Sequence, residues 1–191
     1  LHIPIKLGVL DSKGKDLLKP KDSVVELTSK SQTISFKSIP PNSIPSLFRE
    51  FSAPVNVRTD LTKDELAFLM AKDSDEFNKW DAAQTLFIDE IKRFVYELQS
   101  NNSPVIDPLL LSAFRSALND KNLNKSFLAK MLTLPSETEL KDHFDLIDVQ
   151  SIHSARLSLT RQIAKNLKSQ FYERVADCSI VDPRSVSQES I

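Results

Sequence analysis

The chain has two hydropathy patterns in succession. Over its first ten positions Leu1, Ile3, Ile5, Leu7 and Val9 alternate with His2, Pro4, Lys6 and Gly8. A period of two places the five apolar residues on one face of a strand. Asp11-Ser12-Lys13-Gly14 reads as a turn, with Gly14 free to take a positive φ. Val24–Thr28 is a second strand candidate and Thr33–Ile39 a third, which Pro40-Pro41 and Pro45 should end because proline cannot donate to a ladder. Ser52–Val57 closes the series. Short strands separated by turns point to a β-sandwich. These few strands do not complete one, and the remainder is expected upstream of Leu1.

After residue 60 the period becomes helical. Thr62 with Glu65 forms a capping box, in which each side chain bonds a free amide of the first turn. Asp73 or Ser74 offers the cap for a following helix, in which Phe77, Trp80, Gln84, Phe87, Ile91, Phe94 and Leu98 recur on one face until about Ser100. Trp80 is expected in its core. Asp107-Pro108 starts the next helix, carrying Leu111, Phe114 and Leu118. Asn124 caps a short one, and Ser136 with Glu139 makes a second capping box. Asp148 opens the last long helix, with a stripe through Ile152, Ala155, Leu159, Ile163, Leu167 and Phe171. Six short-linked helices are expected to stack as αα-hairpins in a solenoid-like array. The fold class is thus β followed by α: residues 1–58 part of a sandwich, 59–177 helical, and 178–191 a linker or frayed tail.

Composition changes this picture little. Net charge is −1, and 27% of residues are charged, so nothing electrostatic argues for nucleic acid. Two glycines among 191 residues leave little material for a phosphate-cradling loop. No apolar run is long enough for a membrane span. The start, Leu1-His2-Ile3-Pro4, has neither an initiator methionine nor a signal-peptide pattern, and reads as an internal piece. The single cysteine, Cys178, excludes an internal disulfide and fits a reducing, cytoplasmic compartment.

Catalytic chemistry is sparse. Zinc hydrolysis needs two histidines one helical turn apart, whereas His2, His143 and His153 are widely spaced. Cys178 has no histidine nearby and only Arg174 as a close cation, so it reads as an unreactive thiol. The carboxylate groups Asp73/Asp75/Glu76 and Asp142/Asp145/Asp148 are explained by the helix dipole at helix starts. The aromatic face from Phe77 to Phe94 reads as core in preference to a binding groove. No residue is assigned to a catalytic, cofactor-binding or metal site.

Two stretches carry a family resemblance. Ser46-Leu-Phe-Arg-Glu-Phe-Ser-Ala-Pro-Val-Asn-Val57 and Asp73-Ser-Asp-Glu-Phe-Asn-Lys-Trp-Asp-Ala-Ala-Gln84 resemble the end of the sandwich domain and the start of the helical domain of bacterial aminopeptidase N enzymes. Leu1–Pro4, Val9–Asp11 and Leu132–Ser136 fit as well, so the likeness runs from Leu1 to about Val175. The resemblance implies an immunoglobulin-like sandwich and a parent zinc aminopeptidase of the gluzincin type, removing N-terminal residues from peptides. The parent's zinc, catalytic residues and substrate-amine site would lie in domains absent from this chain. The implied role is that of a non-catalytic spacer and cap. Its partners are then the catalytic domain of the same polypeptide and the parent's peptide substrates, with no nucleic acid and no membrane. Without the resemblance, the alternative is a free-standing helical-repeat module that binds a peptide or protein. A cut sandwich would also leave the first strand with an open edge, and any self-association should run through the β part.

Overall fold

A computed structural model describes residues 2–177. Among these residues three short strands, β1 (Ile3–Leu10), β2 (Val24–Leu27) and β3 (Ile44–Leu47), precede seven α-helices. The sheet is antiparallel in the order β2-β1-β3. β1 is therefore the central strand of the sheet, each half paired with a different neighbour. Its first half pairs with β2, from Ile3 opposite Leu27 to Lys6 opposite Val24. Its second half pairs with β3, from Leu7 opposite Leu47 to Leu10 opposite Ile44. The turn after β1 forms as its sequence requires. The Asp11 carboxylate accepts the amides of Lys13 and Lys15 at 2.8 and 2.9 Å, and Gly14 has φ of 86°. Those amides hold the Asp11 carboxyl below its usual range.

The other strand expectations fail in part. Thr33–Ile39 is not a strand. Alternation needs a partner edge, and the end of β2 is instead closed by Gln32, whose side chain accepts from Thr28 N and donates to Glu26 O. Ser52–Val57 is also irregular: it follows left-handed residues, and Ser52 meets β1 through its side chain, which accepts from Lys6 N at 3.0 Å. β3 in turn contains Pro45, expected only as a terminator. Edge strands tolerate proline, and β3 is an edge.

The helices are α1 (Lys63–Lys72), α2 (Glu76–Gln99), α3 (Pro108–Asn119), α4 (Lys125–Met131), α5 (Glu137–Leu140), α6 (Val149–Asn166) and α7 (Lys168–Ala176). Both expected capping boxes are present, at Thr62/Glu65 and Ser136/Glu139, and Asp107, Asn124 and Asp148 cap α3, α4 and α6. The cap of α2 is Asp75, whose side chain accepts from Asn78 N, and not Asp73 or Ser74. The expected last helix is two: at Leu167 the backbone departs from helical geometry (φ −119°, ψ 21°) and α7 begins. The break keeps Leu167 buried and lets Arg174 donate to Leu123 O at 3.0 Å.

One apolar core runs through the helices. Met70, Phe87, Ile91, Phe94, Phe114, Met131, Leu159 and Leu167 are fully buried in it. Phe87 stacks on Phe114 with centroids 5.1 Å apart. Trp80, expected in the core, is only half-buried and packs at its margin. Glu90 is buried against Arg93 and accepts from Asp107 N at 2.8 Å, which ties the start of α3 to α2. Gln162 of α6 holds the α2–α3 loop by accepting from Ile106 N and donating to Pro104 O. From the β part, Leu10 is fully buried in this helical core and Ile44 packs against it.

Candidate functional site at the sheet–helix junction

The most densely bonded polar cluster of the described residues lies where β3 meets the corner between α1 and α2. Its centre is Arg49. Its guanidinium is buried and pairs with Asp16 and, at 2.9 Å, with Asp73 Oδ1, while its Nε donates to Ser46 Oγ at 2.8 Å. Gly8 on β1 allows this. A Cβ there would lie 2.1 Å from the Arg49 guanidinium carbon, so only a glycine leaves room for the plane of the side chain.

The corner itself is built from two helix ends. Asp73 closes α1 and is buried to 2% exposure; its Oδ1 also accepts from Asp75 N at 2.9 Å. Its Oδ2 is buried without a hydrogen-bond partner among the described residues. Asp75 caps α2 and accepts from Glu50 N at 3.0 Å with its second oxygen. Asn78, one turn on, donates to Ser46 Oγ at 2.6 Å and to Leu47 O at 2.9 Å. Nearby, the buried Lys79 amine donates to Ala71 O at 3.1 Å, and burial pushes it below the usual lysine range.

The segment gripped this way is strained. Phe48, Glu50 and Phe51 have φ of 57°, 54° and 53°. The left-handed region costs a residue with a Cβ about 1–2 kcal/mol. Such a turn persists only where its surroundings over-determine it. Beyond it, residues 52–61 form an irregular strap across α1 and α2. A cavity of about 560 Å³ lies under the strap, lined by Phe51, Val55, Val57 and Leu61 on one side and by Leu66, Phe77 and Thr85 on the other. Phe77, read as core, thus lines a cavity wall and stacks obliquely on Phe51 at 5.3 Å.

The other candidate groups are scattered. His2 pairs with Glu26 at 3.0 Å and His153 with Glu137 at 2.7 Å, on opposite parts of the molecule. His143 is exposed. Cys178 lies outside the described residues. Of the two carboxylate groups, Asp148 is a cap as expected and Asp75 caps α2 in place of Asp73 or Ser74, while Asp73 is not explained by a helix dipole: it is the buried partner of Arg49. Arg49 escaped sequence reasoning. The available signal was a charged pair, Arg49 and Glu50, set between Phe48 and Phe51.

No group of three or more His, Cys, Asp or Glu side chains among the described residues could hold a metal ion. No chemical step through a metal is assigned to the described residues. No helix among the described residues is long and apolar enough to cross a membrane.

Fold and junction together define a class: a small immunoglobulin-like sheet locked onto a helical-repeat array. Comparison with known proteins gives the same division. Residues 1–60 match the family described as a domain of unknown function, DUF3458, with an Ig-like fold. Residues 63–191 match the one described as DUF3458_C, with ARM repeats. The chain is 35% identical over 176 residues to aminopeptidase N of Haemophilus influenzae, covering 90% of this chain and 20% of that protein. It is 36% identical over 172 residues to aminopeptidase N of Escherichia coli, covering 87% of this chain and 20% of that one. A crystal structure of Legionella pneumophila aminopeptidase A in complex with aspartic acid superposes with a TM-score of 0.78 at 29% identity, over 92% of this chain and 20% of that one. The chain belongs to the DUF3458_C family, whose model matches its residues 63–191, and it spans about a fifth of the length of the aminopeptidases it matches.

Proposed function

We propose that this chain is a non-catalytic part of a zinc aminopeptidase, in which the sheet is a spacer and the helices a cap limiting access to an active site carried elsewhere on the same polypeptide. The observation that carries this reading is the alignment of 90% of the chain with 20% of an aminopeptidase N. Its mechanism is steric. A cap needs a shaped, stiff surface and a fixed angle to what it covers. The continuous helical core and the bonded corner at Asp73–Asn78 are suited to both. Peptide ends would pass such a cap, and chain interiors would not. Zinc belongs, in this reading, to the parent's catalytic domain, which is also the fragment's partner. The compartment is cytoplasmic.

Two experiments test it. The purified chain should retain no stoichiometric zinc after dialysis and release no product from amino-acid anilides. In a full-length relative, deleting the matching helices should permit cleavage inside longer peptides. Zinc retention with turnover in the isolated chain would sink the proposal, as would an unchanged exopeptidase profile after the deletion.

A further inference from the structure

The hydrogen bonds and the ion pair that join residues 2–61 to residues 62–177 run from Ser46, Leu47, Arg49 and Glu50 to Asp73, Asp75 and Asn78. They fall on one corner of the molecule. Beyond that corner, Asn56 to Leu61 takes part in no hydrogen bond or ion pair among the described residues, and the cavity beneath leaves the strap room to move. A segment with few backbone bonds and little packing opens more readily than the elements it joins. We propose that Arg49 is a latch. It holds the left-handed turn at Phe48–Phe51 against the α1–α2 corner, and the 52–61 strap is the hinge on which the sheet swings away when the latch opens.

Three features assign the latch to Arg49 in particular. It is the residue that reaches the β1–β2 loop at Asp16, its own strand end at Ser46 and the helical corner at Asp73 at once. The two residues after it and the one before it are in strained conformations that relax if it lets go. The backbone of β1 is shaped to it, through the missing Cβ of Gly8. Opening withdraws Leu10 and Ile44 from the helical core, and three short strands without that support loosen their own pairing, which exchange at the sheet's internal amides reads. This inference concerns how the two parts are joined, and it stands whether or not the chain serves an aminopeptidase.

Amide hydrogen exchange on the whole 191-residue chain tests it. The reporters are Leu7 N and Leu17 N, bonded to Ser23 O and Val9 O in the β part, against Ile91 and Phe94 of α2. Arg49→Met should speed exchange at Leu7 and Leu17 by about tenfold or more, leaving Ile91 and Phe94 within about twofold of wild type. Gly8→Ala, which crowds the guanidinium while keeping its charge, should act in the same direction. Arg49→Lys should not restore protection, because an ammonium cannot span the same partners as the planar fork. If Arg49→Met does not fold, Asp16→Asn gives the same local pattern at smaller size. Equal acceleration in both sets of amides would reduce Arg49 to general stability and overturn the latch; so would no acceleration in the β part.

Discussion

The sheet and the helices hold themselves together by different means. The helices share a core of fully buried aromatic and aliphatic side chains, and each of α1 to α6 starts at a residue that caps it. Local signals and long-range packing agree there, the condition for a cooperative unit. The sheet has three strands of eight, four and four residues, and β2 is never fully buried. Three short strands need something to pack on. What they have is the helical core, through Leu10 and Ile44, and the polar corner, through Arg49. The β part is therefore a conditional fold, whereas the helices bury most of their core against one another.

The sharpest way to break this contrast is to damage the helical core. Phe87→Ala removes a fully buried ring stacked on Phe114 and should cost about 3–5 kcal/mol by urea unfolding. Both parts should be lost together. Trp80→Ala, at the half-buried margin, should cost clearly less, and an equal cost would show that the core extends further than the burial pattern indicates.

Next comes the corner. Asp73→Ala leaves Arg49 with Asp16 and Ser46 but without its buried partner, and should cost about 3 kcal/mol, the low end for breaking a buried pair. The same unfolding measurement should show the β part yielding first. If both parts lose stability in step, the contrast drawn above is wrong.

A cap probes the helical part alone. Thr62→Ala removes one capping box and should cost about 1 kcal/mol in thermal melts, without changing exchange in β1. In the opposite direction, Glu50→Gly should stabilise the chain. It relieves a φ of 54°, and the gain of about 1 kcal/mol is offset in part by the loss of the exposed Lys6–Glu50 pair. A destabilised Glu50→Gly variant would mean that the turn is not strained.

The smallest effect is on pH. Glu65 and Glu139 accept hydrogen bonds from the backbone and hydroxyl groups of Thr62 and Ser136, which hold their carboxyls below the ordinary glutamate value of 4.5. Asp148, bonded to Ser151, lies below the ordinary aspartate value of 3.8. A carboxyl whose folded value is depressed contributes stability that is fully present above its unfolded value and is lost as pH falls through the folded one. Stability should therefore decline below about pH 4.5, and Glu65→Gln should flatten that decline in acid titrations followed by circular dichroism. An unchanged acid limb would show that the capping boxes do not carry it.

The sequence by itself determined the helical part almost in full. Helix starts at Thr62, Asp107, Asn124, Ser136 and Asp148 are read from local chemistry, because a cap satisfies amides within three residues of itself. The two-part β-then-α order and the turn at Asp11–Gly14 are legible for the same reason: the forces are short-ranged. Strand pairing is not short-ranged. Whether Thr33–Ile39 or the proline-containing Ile44–Leu47 became the third strand depended on which segment could reach the free side of β1 and dock on the helices. The junction was decided the same way. Arg49, Asp73 and Gly8 are separated by tens of residues, and nothing local marks the aspartate after α1 as a buried ion-pair partner instead of a cap. Only the docking of the sheet on the helices removes water from that corner, and desolvation is what turns ordinary polar residues into a lock.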